Sequence, residues 1–502
     1  MIHIEVDTRQ PGQAFGPFWR RCLCAGRAAE GLRADWQAQL REVQREIGFD
    51  YLRFHGLFHE DMFVYHEEKD GTPCYNWQYV DALFDFLLSI GIRPFVELGF
   101  MPPDMASGSG TVFWWRGNAT PPKDYDKWAT LCGELARHCL NRYGLSEVGQ
   151  WYFEVWNEPD LRDGFWYGTQ EEYFKLYACT ARALKAIDPT LRIGGPATSA
   201  SHAVAPPWVA DLIAFCAREG LPLDFVSTHP YPNNWPMDGY GNCRMTYRDE
   251  HSTLDDLRMA RKIVDASPFP GAEIHLTEWN SSPSPRDLVH DTAFMAPFII
   301  KNNLECLGLV DSLGFWTFSD VFEEGGAGNG IFHGGFGLIN LQGLKKPAYY
   351  GYWFLSRLGT EVLAQGDGYF VARKEETLQI LMWNYCHYGE SFADGDFSGL
   401  EMHRRYGIFK EQGDLAFDIT IRNPVNRYKK TEYILGRDNG SVYDAWLRNG
   451  APDYPDAGDL DLLRKMAGPT GGLSYVDAMD PLTLSLSVPP HGVHLVELRN
   501  VY

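Results

Sequence analysis

The chain is short of positive charge. Its 502 residues include 45 lysines and arginines against 66 aspartates and glutamates, which gives a formal net charge of −21. A surface of this sign repels nucleic-acid phosphates and anionic lipids, so we expect neither a nucleic acid nor a membrane as a partner. A polyanionic ligand is also disfavoured at long range, unless a local basic pocket overrides the net charge.

Several other signatures are missing. No run of about 18 uninterrupted apolar residues occurs, so we expect no transmembrane helix. Residues 1–10 alternate polar and apolar side chains and lack the basic start and apolar run of a signal peptide. The ten cysteines are scattered, and the histidines show no HExxH spacing. These absences predict a cytoplasmic protein with reduced thiols, no catalytic metal and no cofactor.

What is present indicates a compact protein larger than one ordinary domain. Hydrophobic residues make up 45% of the chain and charged residues 22%, which is too little charge for a disordered protein. Between about residues 15 and 320, short apolar runs alternate with longer segments of helical periodicity, the pattern of parallel strands joined by helices. Eight such repeats that close on themselves form a (β/α)8 barrel. The predicted strands are 18–25, 49–57, 92–100, 151–158, 192–197, 225–231, 273–280 and 312–320.

The pattern changes near residue 351 to short alternating strands separated by turn residues, such as 378–383, 417–421 and 482–488. This texture is typical of a β-sandwich. The first strand-like segment, residues 2–7, precedes the barrel and could complete the sandwich. We therefore predict an α/β fold with a TIM barrel over residues 15–350 and an accessory β-sandwich formed by residues 1–14 and 351–502.

Two glutamates lie at the ends of strand-like runs. Glu158 follows Trp-Tyr-Phe-Glu-Val-Trp-Asn and precedes Pro159, and Glu278 lies in Thr-Glu-Trp-Asn near the end of another run. They are about 120 residues apart, or three strand–helix units of roughly 40 residues, which places them on the fourth and seventh strands. A single glutamate in such a place is usually solvated or salt-bridged. Two in matching contexts favour a retaining glycosidase, which needs paired carboxyl groups about 5 Å apart.

Five runs together resemble glycoside hydrolase family 39, a family of retaining β-xylosidases and α-L-iduronidases. The resemblance implies that Glu158 is the acid/base and Glu278 the nucleophile. Asn-Glu-Pro is shared by many glycosidases with this barrel, so it indicates the mechanism, and the other four runs narrow the family. Pro283 departs from the aromatic residue that the family commonly has there, which leaves the shape of the sugar pocket open. The runs are 53–62, 153–159, 227–231, 277–282 and 315–324.

The same resemblance implies a set of sugar contacts at the strand ends. Asn157 would hold the sugar 2-hydroxyl, with a turn-capping role as the alternative. His55, His229 and Tyr231 would line the pocket for the terminal sugar, and Tyr231 could donate a hydrogen bond to the nucleophile. Each of these residues could instead belong to the core or the surface. The other predicted sugar-binding residues are Trp115, Trp316, Glu323 and Glu324.

These residues favour an exo-acting retaining β-xylosidase that removes xylose from the non-reducing ends of small xylo-oligosaccharides. An α-L-iduronidase or an arabinosidase of the same fold is the enzymatic alternative, and a non-catalytic sugar-binding protein is the alternative from another class. Recognition of a uronate would need cations, and the five motif runs, together with residues 113–116 after the third strand, offer few apart from Arg53 and Arg116. Members of the family often associate, so a homo-oligomer is a further expectation.

Overall fold

The computed structural model describes residues 1–199, 207–234, 245–322 and 324–501. Within them, eight parallel strands follow one another around a closed barrel. The eighth strand closes the barrel by pairing with the first, Phe315 opposite Leu23. The predicted TIM barrel is confirmed. Its strands are Cys22–Arg27, Tyr51–His55, Arg93–Leu98, Tyr152–Val155, Arg192–Thr198, Phe225–Thr228, Glu273–Trp279 and Ser312–Phe315.

Helices cover the outside of the barrel, each with an apolar face against the strands. The helix Gln170–Ile187 shows why they form where they do. Thr169 accepts a hydrogen bond from the Glu172 backbone N–H, and Glu172 accepts one from the Thr169 N–H at 2.7 Å, so this helix begins with a capping box. The helices after successive strands are Ala34–Glu46, Gln78–Ser89, Tyr125–Tyr143, Gln170–Ile187, Trp208–Glu219, Ser252–Asp265, Met295–Glu305 and Pro347–Arg357.

The barrel interior has an aromatic layer below a polar one. Tyr152 stacks on Phe95 with ring centroids 4.7 Å apart, and His275 approaches the same tyrosine at 4.6 Å. Because side chains on a strand alternate with a period of two, the next inward position along each strand lies one layer higher. On the third and fourth strands those positions are occupied by Glu97 and Glu154, both buried. The polar layer therefore lies directly beneath the carboxyl ends of the strands.

The rest of the chain forms two packed β-sheets. The N-terminal strand Ile2–Asp7 pairs in parallel with Leu415–Arg422, and its Ile4 and Val6 lie in the core between the sheets. The smaller sheet consists of Ile2–Asp7, Leu415–Arg422 and Leu482–Val488. The larger consists of Gln13–Ala14, Glu361–Gly366, Tyr369–Lys374, Thr377–Trp383, Val493–Asn500, Arg427–Leu435 and Thr470–Asp477.

The sandwich and the barrel pack against each other through several contacts. The predicted boundary between residues 350 and 351 lies inside the helix Pro347–Arg357, which packs on the preceding barrel helix. An added Cβ at Gly351 would lie only 3.1 Å from Ile299 Cβ, so glycine permits that close approach. Tyr388, from a loop of the sandwich, lies 4.0 Å by ring centroid from Tyr247 of the barrel. Short helices on these loops are Glu390–Ala393, Val442–Arg448 and Ala457–Met466.

None of the helices in the described ranges combines the length and apolar character that spanning a membrane requires.

Candidate active site

Glu158 lies on a tight turn just beyond the fourth strand. That strand ends at Val155, three residues earlier than the predicted segment, because the chain turns there: φ is 72° at Trp156 and 44° at Glu158. Left-handed conformations are uncommon for residues other than glycine and cluster at active sites. The Glu158 N–H donates to the carbonyl of Ala197 at 2.9 Å, which ties the turn to the end of the fifth strand.

Glu278 faces Glu158 across the mouth of the barrel. One carboxyl oxygen of each lies within 4.8 Å of the other, and within the same distance of a ring nitrogen of His229. Both glutamates are buried, with 7% and 6% of their surface exposed. In retaining glycosidases the two carboxyl groups are about 5–5.5 Å apart, whereas inverting enzymes leave about 6.5–9.5 Å for a water molecule. The separation fits direct attack by one carboxylate.

Hydrogen-bond donors and positive charge surround Glu278. Arg53 Nη1 donates to its Oε1 at 2.6 Å, and Tyr231 donates its hydroxyl hydrogen to Oε2 at 3.3 Å. His55 Nε2 lies 3.3 Å from Oε1. Burial raises the pKa of Glu278, whereas Arg53 and His55 act to lower it. These contacts stabilise the ionised form that a nucleophile requires.

Glu158 has the opposite environment. Burial, followed by the charges of Glu278 and Asp160, raises the pKa of Glu158 well above its ordinary value. His229 Nδ1 lies 2.8 Å from Glu158 Oε1, and burial lowers the pKa of His229 well below its usual range, so the ring is neutral. Because Arg53 contacts Glu278 directly, a proton shared by the two carboxyl groups resides on Glu158. The two glutamates therefore differ in protonation, with Glu158 neutral and Glu278 ionised.

Arg53 organises the floor of this site. Its side chain is fully buried, and its Nε donates to Glu154 Oε2 at 2.8 Å, while Nη2 lies 2.9 Å from Glu97 Oε2. Thr277 donates its hydroxyl hydrogen to the other Glu154 oxygen at 2.7 Å. The sequence interpretation treated Arg53 only as a nearby cation and did not single out Glu154. In the sequence, Arg53 and Glu154 can be recognised as charged residues at inward-facing positions of otherwise apolar strands.

Comparison with known proteins assigns this architecture to a family. The family model for glycosyl hydrolases family 39 matches residues 2–475. The chain belongs to this family. The resemblance read from the sequence is therefore confirmed, and the protein is a glycoside hydrolase.

Several β-xylosidases are similar to most or all of the chain. A β-xylosidase of Geobacillus stearothermophilus is 36% identical over 509 residues, which is 100% of this chain and 96% of that protein. A β-xylosidase of Caldicellulosiruptor saccharolyticus is 44% identical over 362 residues, or 72% of each chain. The crystal structure of a monomeric β-xylosidase from Caulobacter crescentus has a TM-score of 0.90 and 33% identity, covering 100% of both chains.

Asn157 presents an unpaired donor to the site of this family 39 hydrolase. Its Oδ1 accepts a hydrogen bond from Arg53 Nη2 at 2.7 Å, which fixes the orientation of the amide. Its Nδ2 is buried and makes no hydrogen bond. A buried donor without a partner is costly, so a ligand oxygen that accepts from Nδ2 would be bound favourably. This geometry suits a sugar hydroxyl.

Aromatic rings form the walls of the pocket. Trp316 is almost fully buried at 2% exposure, and its ring centroid lies 4.8 Å from that of His55. Phe113 lies 5.9 Å from His55, and Trp115 stacks behind Phe113 at 5.1 Å. The structure thus places Trp316 beside His55, which contacts Glu278, and Trp115 one ring further away, where it supports Phe113.

Of the two acidic residues predicted to bind sugar in the loop after the eighth strand, the structure describes only Glu324. Glu324 Oε1 lies 3.6 Å from His55 Nε2, at the edge of the catalytic cluster. Burial and the charge of Glu278 raise the pKa of Glu324 well above its ordinary value, which favours its protonated form, and a protonated carboxyl group can donate a hydrogen bond. Glu323 lies outside the described residues.

Proposed function

We propose that this family 39 hydrolase is an exo-acting retaining β-xylosidase that releases xylose from the non-reducing ends of short xylo-oligosaccharides. The observation that carries the mechanism is the separation of at most 4.8 Å between oxygens of Glu158 and Glu278. The similarity to β-xylosidases along the chain supports xylose as the terminal sugar.

In the first step, the Glu278 carboxylate attacks the anomeric carbon while the glycosidic C–O bond breaks. Glu158 donates its proton to the departing oxygen, and a glycosyl ester of Glu278 remains. Ester formation removes the charge of Glu278, which adds to the effect of burial in raising the pKa of Glu158. The pKa of Glu158 then falls, so this group can act as a base. In the second step, Glu158 takes a proton from water, the water oxygen attacks the anomeric carbon, and Glu278 leaves. Two inversions give overall retention.

The remaining groups bind and orient the sugar. The free Nδ2 hydrogens of Asn157 fit the 2-hydroxyl, whose hydrogen bonds strengthen as positive charge develops at the anomeric carbon. Trp316 presents an apolar face to the sugar ring. Glu324, His55 and Tyr231 offer further polar contacts around the nucleophile.

The charges of the site favour a neutral sugar over a uronate. Arg53, the buried cation at the nucleophile, is engaged with Glu97, Glu154, Glu278 and Asn157. Arg116, the other cation considered from the sequence, lies at an exposed position in the loop after the third strand. A bound carboxylate would have to displace one of the existing partners of Arg53. This argument disfavours an iduronidase.

A side-by-side assay tests the substrate. We expect hydrolysis of an aryl β-xyloside with kcat/KM well above that for an aryl α-L-arabinoside or an aryl α-L-iduronide. Preference for either of the other two glycosides would overturn the proposed sugar, and turnover of none would favour a binding protein.

Variants of the two glutamates test the mechanism independently of the sugar. Glu278→Ala should be inactive, and azide should restore turnover with an inverted glycosyl azide as product. Glu158→Ala should lose activity mainly on substrates with poor leaving groups, and azide should give a retained product. Glu219→Ala removes an exposed glutamate on a barrel helix and should change neither rate. Equal behaviour of the two catalytic variants would contradict the assignment.

Location and assembly are finer predictions. We propose a reducing, cytoplasmic setting, which the nine free cysteines of the described residues support. Fractionation of the native organism would test the location. The homo-oligomer implied by the family remains a prediction, and analytical ultracentrifugation would measure the subunit count.

A further inference from the structure

A small hairpin on the catalytic face of the barrel brings three metal-binding side chains together. The hairpin Tyr65–Glu67 and Pro73–Tyr75 lies in the loop that follows the second barrel strand. His66 and Cys74 are directly opposite each other across its two strands, so their side chains project from the same face. Glu68, two residues after His66, points to that face as well.

The distances among these side chains match those of a metal site. Cys74 Sγ lies 3.7 Å from Glu68 Oε1, and His66 Nε2 lies 3.8 Å from the same oxygen. One donor atom from each residue lies within 4.8 Å of the other two. Tetrahedral Zn²⁺ with ordinary bond lengths holds nitrogen and oxygen ligands about 3.4 Å apart, and sulfur and oxygen ligands about 3.6 Å apart. Closure around the ion thus requires shifts of only a few tenths of an ångström in these two separations.

A fourth residue supports the imidazole from behind. Asp104, in the loop after the third barrel strand, places Oδ2 3.7 Å from His66 Nδ1, on the opposite side of the ring from Glu68. The Glu67 backbone N–H donates to the same Asp104 oxygen at 2.9 Å, which fixes its position. Histidines that bind metals commonly have a carboxylate near the other ring nitrogen, which orients the ring and raises its basicity.

The surrounding charge also favours a cation. Glu67 faces the other side of the hairpin and pairs with Lys127 at 2.9 Å, so this lysine neutralises Glu67 and not the Glu68 cluster. The cluster itself combines a thiol, an imidazole and a carboxylate, which is a donor set suited to Zn²⁺ and not to Mg²⁺ or Ca²⁺.

We propose that His66, Glu68 and Cys74 bind a thiophilic divalent cation of the Zn²⁺ type, with Asp104 as the positioning residue for the imidazole. The cation would clamp the two strands of the hairpin and link the loops after the second and third barrel strands. Water would complete the coordination. The site is separate from the two catalytic glutamates and does not depend on the substrate proposed above.

Co²⁺ is the probe that tests this site, because a cobalt–thiolate bond gives a charge-transfer band in the near ultraviolet. The full-length protein is reduced and titrated with Co²⁺ in a Cys243→Ser background, since Cys243 lies outside the described residues. We expect one equivalent of Co²⁺ to produce the band and Zn²⁺ to displace it. Cys74→Ser should abolish the band. Cys179→Ser, which removes another partly exposed thiol, should leave it unchanged.

Two further measurements separate a built site from a stray thiol. Asp104→Asn should weaken Co²⁺ and Zn²⁺ binding by about 10- to 100-fold without loss of the thiolate band at saturation. Zn²⁺ should slow amide hydrogen exchange in residues 65–75 of the parent but not of Cys74→Ser, and both proteins should hydrolyse substrate equally in the absence of metal.

Several results would overturn the proposal. They are absence of the band at stoichiometric Co²⁺, its persistence in Cys74→Ser, and its loss in Cys179→Ser. Binding without a thiolate band would point to the cluster of Glu158, His229 and Glu278, which has cation-compatible distances but no sulfur, and would also refute the hairpin site.

Discussion

Replacement of Arg53 by methionine should move the pH profile of the enzyme. Arg53 Nη1 contacts Glu278 at 2.6 Å, so its charge stabilises the ionised form of this proposed nucleophile. The same charge also lowers the pKa of Glu158, from a greater distance. Methionine retains much of the side-chain length but removes the charge and all the N–H donors. The plot of kcat/KM against pH should be bell-shaped, with an acidic limb set by Glu278 and a basic limb set by Glu158. Both limbs should therefore shift to higher pH, and the acidic limb should shift further.

The size of the shift follows from the contact. Two unit charges about 4 Å apart interact by about 4 kcal/mol at an effective dielectric constant of roughly 20, which corresponds to about 3 pKa units. A carboxyl group beside an arginine typically has its pKa lowered by about 1–3 units. We therefore expect the acidic limb of kcat/KM to rise by about 1–3 pH units. At pH values below the acidic limbs of both the parent and the variant, kcat/KM of the variant should be about 10- to 1,000-fold lower than that of the parent.

The assay is kcat/KM for an aryl β-xyloside across the pH range, because the acidic limb reports the ionisation of Glu278 in the free enzyme. Arg53→Lys keeps a positive charge but loses the planar set of donors, so its limb should move less than that of Arg53→Met. Arg45→Met is the control, since 69% of that side chain is exposed. A uniform loss of kcat/KM at every pH, with both limbs unmoved, would refute the electrostatic reasoning.

Stability should change with pH in a defined direction. The folded protein already raises the pKa of Glu278, so ionisation of this group opposes folding as the pH rises through and above 4.5, its ordinary value. Loss of Arg53 raises that pKa further. The destabilisation of Arg53→Met relative to the parent should therefore grow between acidic and neutral pH, as measured by denaturant unfolding at each pH.

Three further predictions concern single contacts. Tyr231→Phe removes the hydrogen bond to Glu278, which we value at about 1.5 kcal/mol because it is long. The acidic limb of the kcat/KM profile should rise by about one pH unit, and kcat/KM should fall about tenfold at low pH. An unmoved limb would contradict this role. Asn157→Ala should lower kcat/KM for an aryl β-xyloside by about 10-fold or more, with much less effect on a 2-deoxy analogue, whereas equal losses would exclude the 2-hydroxyl as its partner. Arg405→Met should lower the unfolding free energy by about 3–5 kcal/mol at neutral pH, because it removes one of the two cations that pair with the buried Asp291. The difference should shrink as the pH falls from about 4 to 2, because Asp291, despite its burial, has a pKa held at about 2 by Lys346 and Arg405. A pH-independent loss would contradict the ion-pair account.

The barrel could be predicted because its signal is local and repeated. Each strand is a short apolar run, and strands buried on both faces need such runs wherever they lie in the sheet. The fourth strand shows where this signal ends. Residues 156–158 continue the aromatic and polar pattern of the strand, yet the chain turns at Val155, because the positive φ values at Trp156 and Glu158 are set by the turn that presents the acid. Hydrophobic pattern carries no information about such a conformation.

The convergence of Glu158 and Glu278 at one mouth of the barrel could be predicted for a different reason. Glu158 and Glu278 lie in motifs specific enough to compare with a known family, and strand counting brings them to one mouth. The family resemblance also implies which glutamate is protonated, but the contact that sets this difference could not be predicted in this way. The difference depends on Arg53, which is 225 residues from Glu278 along the chain and contacts it only because the second and seventh strands face each other inside the barrel.

The C-terminal β-sandwich takes part in a buried ion-pair network with the barrel. Arg405, from a loop of the sandwich, lies 2.8 Å from Asp291 of the barrel, and Lys346 lies 3.0 Å from both Asp291 and Asp320. The four side chains are almost fully buried and their charges sum to zero, so loss of any one leaves a charge without compensation. Asp320 follows the eighth strand, between Trp316 and Glu324. The sandwich therefore contributes a charge to the network that holds the loop between Trp316 and Glu324. No sequence pattern within either domain reveals that dependence.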